Sequence, residues 1–329
     1  DGTPLFLNDG NPTFNYADNL FDSEIAEFNT AFSRLTAFSA ATITGLDVND
    51  DNVLSGNGEN EIWWTSTVET ADCAYWFVDS PSCDVTEVDI RLGDQNWYSS
   101  GEDSNHAPDG SSGRSVLGVA VHEGGHCIGL AHENDEYNVM GDERTHVTRN
   151  GLTTYYGPGE SASDGLIDLH GKRSGDNTYR DVGISVMRYS GASGEYSQHD
   201  FGSLRSSGGT PLPVVGSYVG QDISRVEAGQ SIQVEFTLEN NGEKNAETPN
   251  VGIYLSNNQQ ISNNDLLLKE MPLGINRDSA LEYTTTVTIP ADTAPGNHYL
   301  GLYADNNNVI PEVTSANNVG YYPITVVAP

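Results

Sequence analysis

The chain has 329 residues, a length that fits two domains, each able to bury a core. Acidic residues number 47 against 14 basic, a net charge of -33 that argues against nucleic acid and anionic membrane as partners, since both repel such a surface. No stretch approaches the ~20 consecutive apolar residues of a membrane span. No charged-then-apolar leader opens the chain either, so Asp1 reads as the start of a processed or trimmed protein. Solubility in salty surroundings, where self-repulsion is screened, accounts for the acidity more simply than recognition of a basic substrate.

Residues 1–21 are polar and turn-rich. From Ser23 the apolar residues Ile25, Phe28, Phe32 and Leu35 recur at helical spacing, with Asp22 or Ser23 available to cap the start. Residues 41–46 read as a strand, 61–64 as the next, and 85–92 as another in which Val88, Ile90 and Leu92 alternate. The acidic loop 47–61 offers oxygen ligands at positions 1, 3 and 5 of a calcium-loop template: Asp47, Asn49 and Asp51. It lacks the glycine at position 6, and Gly58 stands where a bidentate Glu is needed at position 12. Both Ca2+ and a plain acidic turn remain open there. Cys73 and Cys83 flank a short segment whose Asp-Ser-Pro turn can fold its ends together. A Cys73–Cys83 disulfide is therefore expected, and with it an oxidising, extracellular compartment. Residues 93–113 form a Gly/Ser/Asp-rich loop in which His106 reads as a surface histidine.

The most informative stretch is His122-Glu123-Gly124-Gly125-His126-Cys127-Ile128-Gly129-Leu130-Ala131-His132. On a helix His122 and His126 stand one above the other and can hold one metal ion between them. Glu123 cannot easily bind that ion but can reach a water that does. Gly129 permits a left-handed turn out of the helix that swings His132 round as a third ligand. Three imidazoles and an open position make a catalytic zinc site, because structural sites fill all four positions with protein. Cys127 points away from the metal beside His126, so a buried free thiol is expected there.

This HExxHxxGxxH stretch resembles the metzincin metalloendopeptidases. The resemblance implies an α+β catalytic domain, a twisted mixed sheet with an active-site helix, over residues 1–174. It also implies one catalytic Zn2+ held by His122, His126 and His132, with Glu123 as general base for the water that attacks a peptide carbonyl. It places residues 85–92 at the sheet edge that pairs with an extended polypeptide substrate. Gly124 replaces an apolar residue usual in the family and is taken as a sign of close helix–sheet packing. Met140 has the matrixin spacing for the methionine turn beneath the zinc ligands, whereas Glu133 after the third His is an astacin feature. Val186-Met187-Arg188-Tyr189 is a second candidate for that turn, with Tyr189 then an oxyanion-stabilising group; Met140 needs no domain crossing and is preferred. Residues 163–171 resemble the closing helix of matrixin catalytic domains, with His170 serving packing rather than chemistry.

Residues 172–177 read as a linker. Beyond Asp181 short alternating segments (Ile232 to Leu238, Val251 to Leu255, Leu281 to Ile289) are separated by turn signals, the pattern of an all-β Ig-like sandwich over residues 175–329. VEFTLENNG (234–242), GNHYLGLYAD (296–305) and NVIPEVTSANN (308–318) resemble the CARDB modules of secreted bacterial proteins, over roughly 178–327 with a long insertion near 190–220. The whole reads as a secreted zinc endopeptidase whose β-sandwich targets an extracellular polymer or matrix. The alternative is a secreted adhesion or matrix-binding protein with a vestigial metal domain, against which stands the presence of all three histidines and the Glu.

Overall fold

Phe14 and Tyr16 alternate with polar neighbours on the first strand of the chain, and both bury their rings. The computed structural model describes residues 11–77, 85–93, 97–98, 114–141, 146–173, 180–189, 201–218 and 220–329. Its N-terminal part runs β1 (Thr13–Ala17), α1 (Asp22–Leu35), β2 (Thr44–Asp50), β3 (Asn60–Trp64), β4 (Ala71–Phe77) and β5 (Val85–Leu92). The short strands β6 (Trp97–Tyr98) and β7 (Arg114–Ser115) precede α2 (Val116–Cys127), then come β8 (Val147–Asn150), β9 (Thr153–Tyr156) and α3 (Gly159–His170).

The first sheet has the order β2-β1-β3-β5-β4, parallel throughout except for β4, which runs antiparallel to β5. One face carries Phe14, Ile62, Val88, Ile90 and Leu92 into a core shared with α1 and α2. Helix α1 presents Phe28, Phe32 and Leu35 to that core, and the Phe14 and Phe32 rings stack at 5.5 Å. Its start is held differently from expectation. Neither Asp22 nor Ser23 caps it; Phe21 occupies the cap position, and its amide donates to Glu24 Oε2 at 2.9 Å. A glutamate at the third helical position reaching back to a free amide is half of a capping box.

Three expectations about this sheet need correction. Residues 41–46 are not a strand as a block: the ladder begins at Thr44 and runs to Asp50, because its register is set by β1, Thr13 opposite Thr44 and Ala17 opposite Asp50. The backbone at Asp47 and Asn49 is thereby extended strand, so no calcium loop of the expected template starts at Asp47. Residues 85–92 form an interior strand, with β3 on one side and β4 on the other; the edge is β4. And Cys73 pairs with Cys127, not with Cys83, which lies outside the described residues. Cys73 sits opposite Ile90 on the core-facing side of β4, so its side chain meets the end of α2 and not the turn that follows. His106 also lies outside the described residues.

The C-terminal part comprises β10 (Val182–Ser185), β11 (Leu204–Ser206), β12 (Val214–Tyr218), β13 (Gln221–Glu227), β14 (Ser231–Asn240), β15 (Asn250–Ser256), β16 (Leu266–Pro272), β17 (Ser279–Thr288), β18 (Gly296–Ala304) and β19 (Val319–Val327). One sheet is built on β14, which pairs with β10, β11 and β17; the other has the order β12-β13-β19-β18-β15-β16. Ile232, Val234, Phe236 and Leu238 point inward, as do Val251, Ile253, Leu300 and Leu302, so the alternation in sequence is the core of a sandwich. Leu281 breaks its pattern and stays 43% exposed. Within the region expected as an insertion, β11 and β12 are integral strands, one in each sheet.

The two parts meet across polar contacts. His146 donates through Nε2 to Glu239 at 2.9 Å, with both side chains buried. Asn150 exchanges two hydrogen bonds with the backbone of Ile261, and Arg277 reaches Asp164 at 2.6 Å. Glu239→Ala strands the buried His146 donor and should lower stability by about 3 kcal/mol, read from chemical denaturation. Peptide mapping without reduction should recover the Cys73 and Cys127 peptides as one species. Cys127→Ser opens a loop of 54 residues and should lower stability by about 4 kcal/mol.

Candidate metal centre

Helix α2 starts at Ser115, whose side-chain oxygen accepts from the Gly118 amide at 3.1 Å, a cap the periodicity alone did not disclose. Val116, Leu117, Val119 and Ala120 are buried as their spacing demands. The helix stops at Cys127, and Gly129 takes φ +101, in the left-handed range. The amides of Gly129 and Leu130 donate back to the carbonyls of His126 and Gly125, and the chain reverses toward the helix.

That reversal brings the third histidine home. The Nε2 atoms of His122, His126 and His132 form a nearly equilateral triangle with sides of 3.1, 3.1 and 3.2 Å. Nδ1 of His122 lies 2.6 Å from the Val139 carbonyl, and Nδ1 of His126 lies 2.8 Å from the Leu130 carbonyl. A carbonyl only accepts, so each of these Nδ1 atoms carries the proton and each Nε2 turns a lone pair to the centre of the triangle. A zinc ion about 2.0–2.1 Å from each nitrogen would subtend angles of roughly 100°, close to tetrahedral. The donor set therefore fits a zinc ion with an open position. His132 is exposed, so the site is open on that side, while Glu123 beside it is buried.

Both glycines between His122 and His126 have a packing reason. A side chain at Gly125 would sit 2.6 Å from Met140 Sδ, so Met140 lies directly against the ligand-bearing helix. At Gly124 the neighbours are Leu35 and Phe32 of α1, so the close approach is helix to helix and not helix to sheet as expected. Met140 is fully buried, its carbonyl accepts from the Glu133 amide at 3.0 Å, and its own amide donates to Asn138 Oδ1. Met187 sits instead in the β-sandwich, where its carbonyl accepts from Thr237. Tyr189 spends its hydroxyl on Glu136 and Glu160. Its single proton is committed to these two carboxylates, and burial, followed by the Glu160 hydrogen bond, raises its pKa. His170 donates to the Ile128 carbonyl at the end of α2, a packing role.

Strand β4 supplies a residue that sequence reading missed, Tyr75, and a partner for Cys73 that it did not foresee. Tyr75 donates to the His126 carbonyl, and Cys73 is bonded to Cys127 next to that ligand. Burial, helped by the nearby Glu123 charge, pushes the Tyr75 phenol up to about 12. The signal was there in the alternation of Cys73 and Tyr75, but only the antiparallel pairing with β5 shows that both face α2. A second group able to hold a cation comprises Asp50, Glu59 and Glu61, far from this triangle in sequence. Among the described residues no helix is long and apolar enough to cross a membrane.

No curated protein matches the chain. Among solved structures, the CARDB domain of a Pyrococcus furiosus protein in complex with di-metal ions is 14% identical, covering 47% of this chain and 100% of that one, with a TM-score of 0.29. A domain of a putative cell surface protein from Methanosarcina acetivorans is 14% identical over 30% of this chain and 78% of that one, with a TM-score of 0.23. The match to a protein-family model is narrower than the 178–327 expected, and it lies wholly within the two-sheet C-terminal part. Residues 215–321 are a CARDB domain.

Proposed function

We propose that the N-terminal part is a zinc-dependent endopeptidase of the metzincin type, acting on polypeptide outside the cell. The observation that supports this best is the triangle of three Nε2 atoms, with Glu123, the residue after His122, buried and the His132 side open. When bound there, zinc would supply Lewis acidity toward a carbonyl and toward water. The chain does the rest. His122 and His126 hold their rings in one tautomer through Val139 and Leu130, and Glu123 takes the proton from the attacking water and delivers it to the leaving nitrogen. Strand β4, the antiparallel edge tied to α2, takes over the substrate-pairing role first expected of residues 85–92. Met140 then serves as the methionine beneath the ligands, which favours the matrixin-like reading over the astacin-like one.

Secretion is supported by the Cys73–Cys127 disulfide, and a targeting role for the β-sandwich by its CARDB domain and by the exposed Leu266 and Leu267 on its edge strand β16. The decisive experiment compares wild type with Glu123→Ala for zinc content and casein cleavage. One zinc per chain in both is expected, with kcat/KM in the variant lower by at least about 10²–10⁴-fold. Zinc in both with no cleavage by either would move the assignment to a matrix-binding protein with a vestigial metal domain.

A further inference from the structure

Alternation on β5 puts Val88, Ile90 and Leu92 in the core, so Glu87 and Asp89 belong on the opposite, nominally solvent face. They are not in solvent. Glu61, Glu87 and Asp89 are 0%, 1% and 0% exposed, because the loop between β2 and β3 folds down over them. Both Glu87 oxygens accept backbone amides, from Gly56 and Gly58, and Asp89 Oδ1 accepts the Glu61 amide. Glu61 Oε2 accepts from the Leu54 amide and from Asn57 Nδ2. Two carboxylate oxygens, Glu61 Oε1 and Asp89 Oδ2, are left fully buried with no donor among the described residues.

Asp50 at the end of β2 and Glu59, just before β3, bring their own carboxylates to Glu61, ligand oxygens of all three lying within 4.8 Å of one another. No lysine or arginine pairs with this group among the described residues; Arg91, the nearest cation along β5, is held in a two-pronged ion pair by Asp72. Three converging acceptors, one of them on a buried side chain with an idle oxygen, must share either a proton or a metal ion. The donors are all oxygen, which selects a hard cation, and three carboxylates drawn from two strands and the loop between them suit the adaptable coordination of Ca2+ better than the rigid octahedron of Mg2+.

We infer that Asp50, Glu59 and Glu61 form a calcium site that pins the loop 51–59 onto the outer face of the first sheet. The site uses none of the ligands of the expected Asp47 template. Burial and crowding leave these acids without a countercharge among the described residues. A bound divalent ion supplies that countercharge.

The test is calorimetric titration of the full, zinc-loaded chain with CaCl2 in KCl buffer, for wild type, Glu61→Gln and Asp50→Asn, with thermal unfolding of each. Wild type should take one Ca2+ with a dissociation constant at or below about 1 mM. A hundredfold excess over that constant should raise its melting temperature by about 5–10 °C. Both variants should lose this response with zinc content unchanged. Without calcium, Glu61→Gln should melt no lower than wild type, because it removes a buried charge that no cation among the described residues offsets while leaving an oxygen to accept from Leu54 and Asn57. Asp50 is only half-buried, so its variant keeps the test open if Glu61→Gln fails to fold. No binding by wild type up to about ten times that limit would mean that the acids share a proton, and the inference fails. It fails equally if Glu61→Gln and Asp50→Asn bind like wild type, or if Mg2+ binds as tightly as Ca2+.

Discussion

Helix α2 is held from three directions, and the arrangement of the three histidines depends on that confinement. Gly124 lets α1 close on one side through Phe32 and Leu35, Gly125 admits the Met140 thioether on another, and β4 is fastened through Cys73–Cys127 and the Tyr75 hydroxyl. A helix carrying two adjacent glycines is intrinsically weakened, by roughly 1 kcal/mol for each relative to alanine. Tertiary packing has to offset that loss, and each glycine is repaid by a contact that a side chain would forbid. The outcome is that His122 and His126 sit on a rigid support, the condition for a tight and selective site.

The ring orientations follow from the same confinement. Val139, whose carbonyl fixes the His122 tautomer, directly precedes Met140, so the residue that packs under the helix also positions the acceptor. Leu130, whose carbonyl fixes His126, sits in the reversal that Gly129 makes possible. One turn therefore delivers both the acceptor for the second ligand and the third ligand itself. The spacing of the motif is thus a statement about backbone hydrogen bonds as much as about histidines.

What could be read from the chain was local. The spacing of His122, His126, Gly129 and His132, the periodicity of α1 and the alternation of β14 and β15 each depend on residues within a dozen positions of one another. What could not be read was pairing. Cys73 has Cys83 ten residues away and Cys127 fifty-four away, and proximity favours the former until β4 is laid antiparallel on β5 and its core face is seen to meet α2. The same register decided which strand is the edge. It also hid the fate of Glu87 and Asp89, which alternation assigns to water and a loop twenty-eight to thirty-one residues upstream buries.

The β-sandwich is not a passenger on this arrangement. The segment 137–147 that carries Val139 and Met140 is held by the C-terminal part at both ends: the Tyr137 amide donates to the Tyr189 carbonyl, and His146 to Glu239 on β14. The Tyr137 hydroxyl also accepts from the Val147 amide, so the two anchored ends are bonded to each other. The carbonyl that sets the His122 tautomer is therefore suspended between two anchors in the other domain. A sandwich that merely tethered the chain to a polymer would need no such buried contacts, since a linker would do. Its contacts make it a structural member of the candidate metal centre as well as the carrier of the CARDB domain, and they tie the geometry of the histidines to the integrity of the sandwich core.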